Sequence, residues 1–139
     1  MRRSLIVAAL AALVCASTAL AGGWATVKLS SVPKGVTAGE PWVVDITVLQ
    51  HGRTPLCCLK PSVTIRKVTN VRPMSTKAQS ARVTRTFVAR PTNRTGVYRA
   101  RVVFPSAGRW RYEVYDAFTA YGGARTHRFA AVKIAPRHM

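Results

Sequence analysis

Acidic side chains are scarce in this sequence, whose 139 residues include four of them against 22 lysines and arginines. The four are Glu40, Asp45, Glu113 and Asp116. They are scattered over predicted turns, strands and loops, whereas general acid–base catalysis needs two carboxylates that converge on one substrate. The sequence also lacks a glycine-rich phosphate loop and an acid placed to orient a cysteine–histidine nucleophile. We therefore predict a protein that is not an enzyme.

Cysteine is rare as well, and two of the three cysteines are sequence neighbours, Cys57 and Cys58. Neighbouring cysteines can bridge each other only through a strained eight-membered ring, so they cannot staple two distant strands together. The third, Cys15, lies in an apolar segment near the start of the sequence. We therefore expect Cys57 and Cys58 to be free thiols, an intermolecular link or metal ligands.

Long hydrophobic runs are absent except over residues 5–16. Met1-Arg2-Arg3 precedes this run, and Ala19-Leu20-Ala21 follows it. A cationic start, a short apolar core and small residues before a cleavage point are typical of a secretory signal peptide. The alternative is an uncleaved membrane anchor, for which the run is short. The pattern predicts a signal peptide over residues 1–21 and a single exported domain over residues 22–139, with no transmembrane helix after cleavage.

A large positive charge remains on the predicted mature chain, which has 20 basic residues against four acidic ones and a formal charge of +16. Such a surface suits nucleic acid, or the lipid head groups and wall polymers of a cell envelope. Export argues against nucleic acid. The alternative is a solvated surface without a specific partner, because arginines outnumber lysines and a GC-rich genome produces that bias without selection for binding.

Alternation of apolar and polar residues predicts seven strands and no helix. The strands fall in residues 24–29, 42–50, 62–68 and 82–89, in two segments within 96–115, and in 125–134. The segment 42–50 buries every second residue from Trp42 to Val48, which is typical of a central strand. Many short strands separated by turns favour an all-β, immunoglobulin-like antiparallel β-sandwich with Greek-key connections. A closed barrel is the alternative.

The clearest pattern lies in residues 96–115, which alternate on both sides of a proline- and glycine-containing turn. We predict a β-hairpin in which one face of each strand is apolar. The predicted core residues are Tyr98, Ala100, Val102, Phe104, Trp110, Tyr112 and Val114. The opposite face carries Arg99, Arg101, Arg109 and Arg111. This arrangement predicts one cationic surface for an anionic partner, while the aromatic rings point into the core instead of forming a stacking platform for bases.

Gly96-Val97-Tyr98 has the form of a tyrosine corner, in which a phenol hydrogen-bonds to backbone a few residues upstream. The alternative is a tyrosine that fills the core. Both interpretations make Tyr98 a structural residue.

Soft donors cluster in the predicted loop at residues 51–61, where His51 precedes Cys57 and Cys58. Imidazole and thiolate together suit copper, whose monovalent ion prefers sulfur, and Met74 further along the chain could add a thioether. A zinc site would need two more strong ligands, for which His127 and His138 are available. We therefore predict a metal site at His51, Cys57 and Cys58, with copper as its ion.

Three pieces of sequence together resemble one family: Gly23-Trp24-Ala25, Gln50-His51-Gly52 followed by Thr54-Pro55, and Gly96-Val97-Tyr98 leading to the run from Phe104 to Trp110. Over nearly all of residues 22–139 the chain is similar to the FixH-like and YtkA-like exported domains of bacteria. The resemblance implies an immunoglobulin-like accessory or binding domain that works with envelope proteins in copper handling or oxidase assembly. It carries over His51 alone as a functional position.

Besides redox work by Cys57 and Cys58 as neighbouring thiols, two functions are open. The first is an exported, periplasmic, wall-associated or extracellular accessory domain with the soft-metal site. The second is a basic interaction module whose arginines bind anionic envelope polymers or lipid head groups.

Overall fold

The computed structural model describes residues 24–69 and 83–138. These residues form ten strands and one short 3-10 helix over Ala120–Gly122. The strands are β1 (Ala25–Leu29), β2 (Pro41–Gln50), β3 (Thr54–Pro55), β4 (Ser62–Lys67), β5 (Thr84–Val88), β6 (Arg90–Pro91), β7 (Val97–Val103), β8 (Gly108–Tyr115), β9 (Thr126–Arg128) and β10 (Val132–Ile134). The predicted signal peptide and Met74 lie outside the described residues.

Two antiparallel sheets face each other, which confirms the predicted all-β sandwich. The first sheet has the order β1-β2-β7-β6, with β3 also paired to β2. The second has the order β10-β8-β4-β5, with β9 also paired to β8. The chain passes from the second sheet to the first at Ala89, which is buried and donates its N–H to Pro61 O over 2.8 Å.

The core lies between the sheets and follows the predicted alternation. All seven predicted core residues of the 96–115 segment are buried, and so are Trp42, Val44, Ile46 and Val48 of β2. Strand β2 is central, as predicted, because it is flanked by β1 and β7. Aromatic rings from both sheets meet here. The ring centroids of Phe104 and Trp110 are 5.7 Å apart and those of Trp42 and Tyr112 are 5.5 Å apart, and both pairs are edge-on. Such contacts hold the two layers together.

The predicted β-hairpin at residues 96–115 is wrong. Strand β7 pairs with β2 and β6, whereas β8 pairs with β4, β9 and β10, so the connection between them crosses from one sheet to the other. Gly39, in the turn before β2, donates its N–H to Phe104 O, and Lys67 of β4 donates from Nζ to Ser106 Oγ, so hydrogen bonds on both sides hold the crossing. The reason is burial: in opposite sheets the two apolar faces cover each other, which side-by-side strands cannot do.

The predicted last strand is interrupted. Residues 126–134 form two strands, β9 and β10, that pair with different parts of β8. Short strands also occur at β3, inside the predicted loop at residues 51–61, and at β6, between two predicted strands. In the described part of the chain, no helix is long and apolar enough to cross a membrane.

Candidate functional site

The loop between β3 and β4 carries the two neighbouring cysteines, and Cys57 and Cys58 are disulfide-bonded to each other. Both residues are exposed. The expectation of free thiols, an intermolecular link or ligands is therefore corrected, because each sulfur is already bonded to its neighbour. A disulfide has no thiolate to offer, and thiolate is the form in which cysteine coordinates a metal.

The Tyr98 side chain of β7 anchors this loop. Its buried hydroxyl donates to Leu56 O over 2.6 Å and accepts a hydrogen bond from Leu59 N at 3.1 Å, so it fixes the backbone on both sides of the cysteine pair. These partners are 42 and 39 residues upstream, not a few residues as in the predicted tyrosine corner. The prediction that Tyr98 is structural is confirmed, but it pins a distant loop.

Replacing Tyr98 with Phe should therefore lower the free energy of unfolding by about 2 kcal/mol, since Leu56 O and Leu59 N both lose a partner in a partly buried place. Urea unfolding followed by tryptophan fluorescence measures the change. The matched control is Tyr115→Phe, at an exposed phenol of β8, which should change stability by less than about 0.5 kcal/mol. Equal effects at the two positions would contradict the role of the Tyr98 hydroxyl.

His51 lies at the end of β2, where its exposed ring contacts the indole of Trp24 with 5.3 Å between ring centroids. Its backbone N–H donates to Trp24 O over 3.0 Å. Within residues 24–69 and 83–138, no group of three or more His, Cys, Asp or Glu side chains could hold a metal ion. The structure therefore does not assemble the predicted copper site from His51, Cys57 and Cys58.

The predicted cationic surface is divided in two. Because β7 and β8 belong to different sheets, Arg99 and Arg101 lie on the outer side of the first sheet, and Arg109 and Arg111 lie on the outer side of the second. The prediction of one surface with four arginines is wrong for this reason. All four side chains are nevertheless exposed, as the alternation predicts.

The first basic face consists of Arg90, Arg94, Arg99 and Arg101 around the carboxylate of Asp45. Arg99 donates from Nε and Nη2 to the two Asp45 oxygens at 2.8 and 3.2 Å, and Arg94 approaches within 3.8 Å. The hydrogen-bonded Arg99 guanidinium holds the pKa of the Asp45 carboxyl below its usual value, with the Arg94 charge acting in the same direction. Asp45 therefore stays ionised and occupies one side of Arg99.

An open groove of about 860 Å³ runs across the first basic face. Arg90, Arg99 and Arg101 line it together with the polar side chains of the turn after β6. Its apolar part includes Val43 and Val88, which are 47% and 63% exposed. Guanidinium groups and exposed valine side chains thus line the same concave surface.

The second basic face consists of Arg66, Arg109, Arg111 and Arg128 around Glu113. Glu113 Oε1 accepts from Arg66 at 3.2 Å, and Oε2 lies 3.7 Å from Arg128. Arg66 and Arg111 are directly opposite each other on neighbouring strands, and Arg109 is opposite Lys133. Like charges in these positions repel.

Four guanidinium groups on the two faces lack a neutralising acid. The described residues include all four acidic side chains of the sequence, and none of them lies within 4.0 Å of the charged nitrogens of Arg90, Arg101, Arg109 or Arg111. Each face therefore keeps two arginines that can bind an external anion without breaking an internal ion pair.

Sequence reasoning missed one buried polar group, Asp116. Its side chain is 1% exposed; Oδ1 accepts from Phe118 N at 2.9 Å and from Arg125 N at 3.2 Å, and Oδ2 lies 2.8 Å from His127 Nε2. The available signal was an aspartate at the start of a loop, since such residues often bond to the N–H two residues on. His127 Nε2 is thus held by the Asp116 carboxylate.

No family model and no curated protein matches this chain. The resemblance to FixH-like and YtkA-like domains therefore stays a prediction.

Proposed function

We propose that the protein is an exported, non-catalytic, immunoglobulin-like domain of the bacterial cell envelope that binds anionic lipid head groups through its basic faces. The observation that carries the proposal is the set of four exposed arginines without a carboxylate partner. Guanidinium groups bind phosphate through paired hydrogen bonds, and each cation close to an anionic bilayer contributes about 1 kcal/mol to binding.

The exposed valines favour lipid over a purely hydrophilic polymer. Val43 is directly opposite Arg101 in the first sheet, and Val88 lines the same groove. A phospholipid offers the phosphate of its head group to the arginines, and its glycerol and upper acyl carbons to the valines. A polyanion without apolar groups would leave both valines in water.

Vesicle binding tests the proposal. The protein recovered after secretion should bind phosphatidylglycerol vesicles in a sedimentation assay, should not bind phosphatidylcholine vesicles, and should be released by salt because the Debye length is about 8 Å at physiological ionic strength. Substituting all four unpaired arginines removes two charges from each face and should weaken binding about 30-fold. This variant carries Arg90→Gln, Arg101→Gln, Arg109→Gln and Arg111→Gln.

The matched control loses the same charge from exposed loops and ends. It carries Lys34→Gln, Arg53→Gln, Lys60→Gln and Arg137→Gln. Binding by the control should stay within a few-fold of the native protein. Equal weakening of both variants would show that net charge alone governs binding and would overturn the assignment to the faces. Absence of binding to the anionic vesicles would overturn the proposed function.

A further inference from the structure

The two basic faces lie on opposite sides of the sandwich, and we propose that the protein bridges two anionic lipid surfaces, one on each face. This inference rests on the proposed function and adds a second, simultaneous contact to it. It names a bridging activity that binding through a single surface does not provide.

The connection from β7 to β8 creates this geometry. It carries the chain from the first sheet to the second, so the outward residues of the two strands point away from each other. The sheets of a sandwich pack about 10 Å apart, and the arginine side chains add to that separation on both sides. Since charges further apart than about 8 Å are largely screened at physiological ionic strength, the two faces act as nearly independent sites.

The two faces also match in their arginines and carboxylates. Each has four arginines around one carboxylate, and each keeps two arginines free of ion pairs. Each is concave, with an open groove of about 410 Å³ on the second face beside Arg111, Glu113 and Phe129. If the domain bound lipid through one face alone, the two unpaired arginines of the other face would have no anionic partner.

Cross-strand repulsion supports occupation of both faces. Arg90 is directly opposite Arg99 on the first face, and Arg66 is opposite Arg111 on the second. Like charges in such register destabilise a sheet. Phosphate groups placed between the guanidinium groups relieve this repulsion, and the benefit is present on both sides of the molecule.

Vesicle clustering, followed by dynamic light scattering, tests the inference with two single-face variants. One carries Arg90→Gln and Arg101→Gln, and the other carries Arg109→Gln and Arg111→Gln. Neither breaks an observed ion pair. The native protein should cluster phosphatidylglycerol vesicles, and an excess of protein should reverse the clustering because separate molecules then fill each surface. Each variant should bind with an apparent affinity within about two-fold of native, since one face remains, but should lose clustering.

The control for charge loss is Lys34→Gln with Lys60→Gln, which should still cluster vesicles. Binding by the native protein without clustering would overturn bridging and leave the proposed function intact. Clustering that persists in either single-face variant would also overturn bridging, because one face would then suffice. Absence of binding by the native protein would instead overturn the proposed function. Near-ultraviolet circular dichroism checks that each variant keeps the native packing of its aromatic core.

Discussion

Replacing Asp116 with Ala is expected to lower the free energy of unfolding by about 3–4 kcal/mol, because three hydrogen-bond donors lose a buried acceptor. The donors are the backbone N–H groups of Phe118 and Arg125 and the Nε2–H of His127. The Asp116 carboxylate is buried, so water would replace it poorly as an acceptor in the alanine variant. The loop that follows β8 depends on this carboxylate: Ala117 within it has a φ of +58°, a conformation that an alanine adopts at a cost.

Urea unfolding at neutral pH measures the effect, and Asp116→Asn is the matched variant. Asparagine keeps an oxygen for the two backbone donors and changes the group that faces His127, so it should cost about 1 kcal/mol. His127→Ala should also cost less than Asp116→Ala, because the backbone donors keep their acceptor. If the alanine and asparagine variants were equally stable, the backbone bonds to Asp116 would not be the source of the stabilisation.

The second large effect is expected from Gly96→Ala, which should cost about 3 kcal/mol through backbone strain and overpacking. Gly96 has a φ of +77°, and a Cβ atom there would lie 2.8 Å from Pro55 Cβ and 3.0 Å from Pro55 Cα. The strand pair of β2 and β3 holds Pro55 in place, so the clash cannot be relieved by rotating a flexible side chain.

Gly35→Ala separates the two causes of this cost. Gly35 has a nearly equal φ of +79°, but its added Cβ would meet no atom within 4 Å. It should therefore show the conformational cost alone, about 1 kcal/mol. A Gly35 variant as unstable as the Gly96 variant would mean that close approach to Pro55 adds nothing. Thermal unfolding of both variants under the same conditions makes the comparison.

The loop that carries Cys57 and Cys58 is thus held in place by contacts of Gly96, Pro55 and Tyr98. The close approach at Gly96 positions β3, and the Tyr98 phenol fixes Leu56 and Leu59. The motif Gly96-Val97-Tyr98 therefore has a structural role that differs from the predicted corner. Within the predicted soft-metal segment, the cysteine loop is anchored by Tyr98, while His51 packs separately against Trp24.

The sequence by itself determined which apolar side chains of the strands at residues 42–48 and 96–115 are buried and that the surface is basic. Alternation is a local property of a pleated strand, so Tyr98, Phe104 and Trp110 face inward in any sheet that they join. For the same reason Arg99 and Arg111 had to be exposed. The scarcity of carboxylates is also a matter of composition, and it leaves most of the arginines without an acidic partner in any fold.

The tertiary structure alone decided which strands pair and therefore which arginines share a face. A hairpin and a crossing between sheets have the same alternation, and burial of both apolar faces selects the crossing. The partners of Tyr98 and of Asp116 depend likewise on loops brought in by long-range packing. His51, Cys57 and Cys58 are close in sequence, yet the His51 ring contacts Trp24 and the two cysteines are bonded to each other. Local periodicity fixes the direction of a side chain, but its neighbours are fixed by the packing of the two sheets.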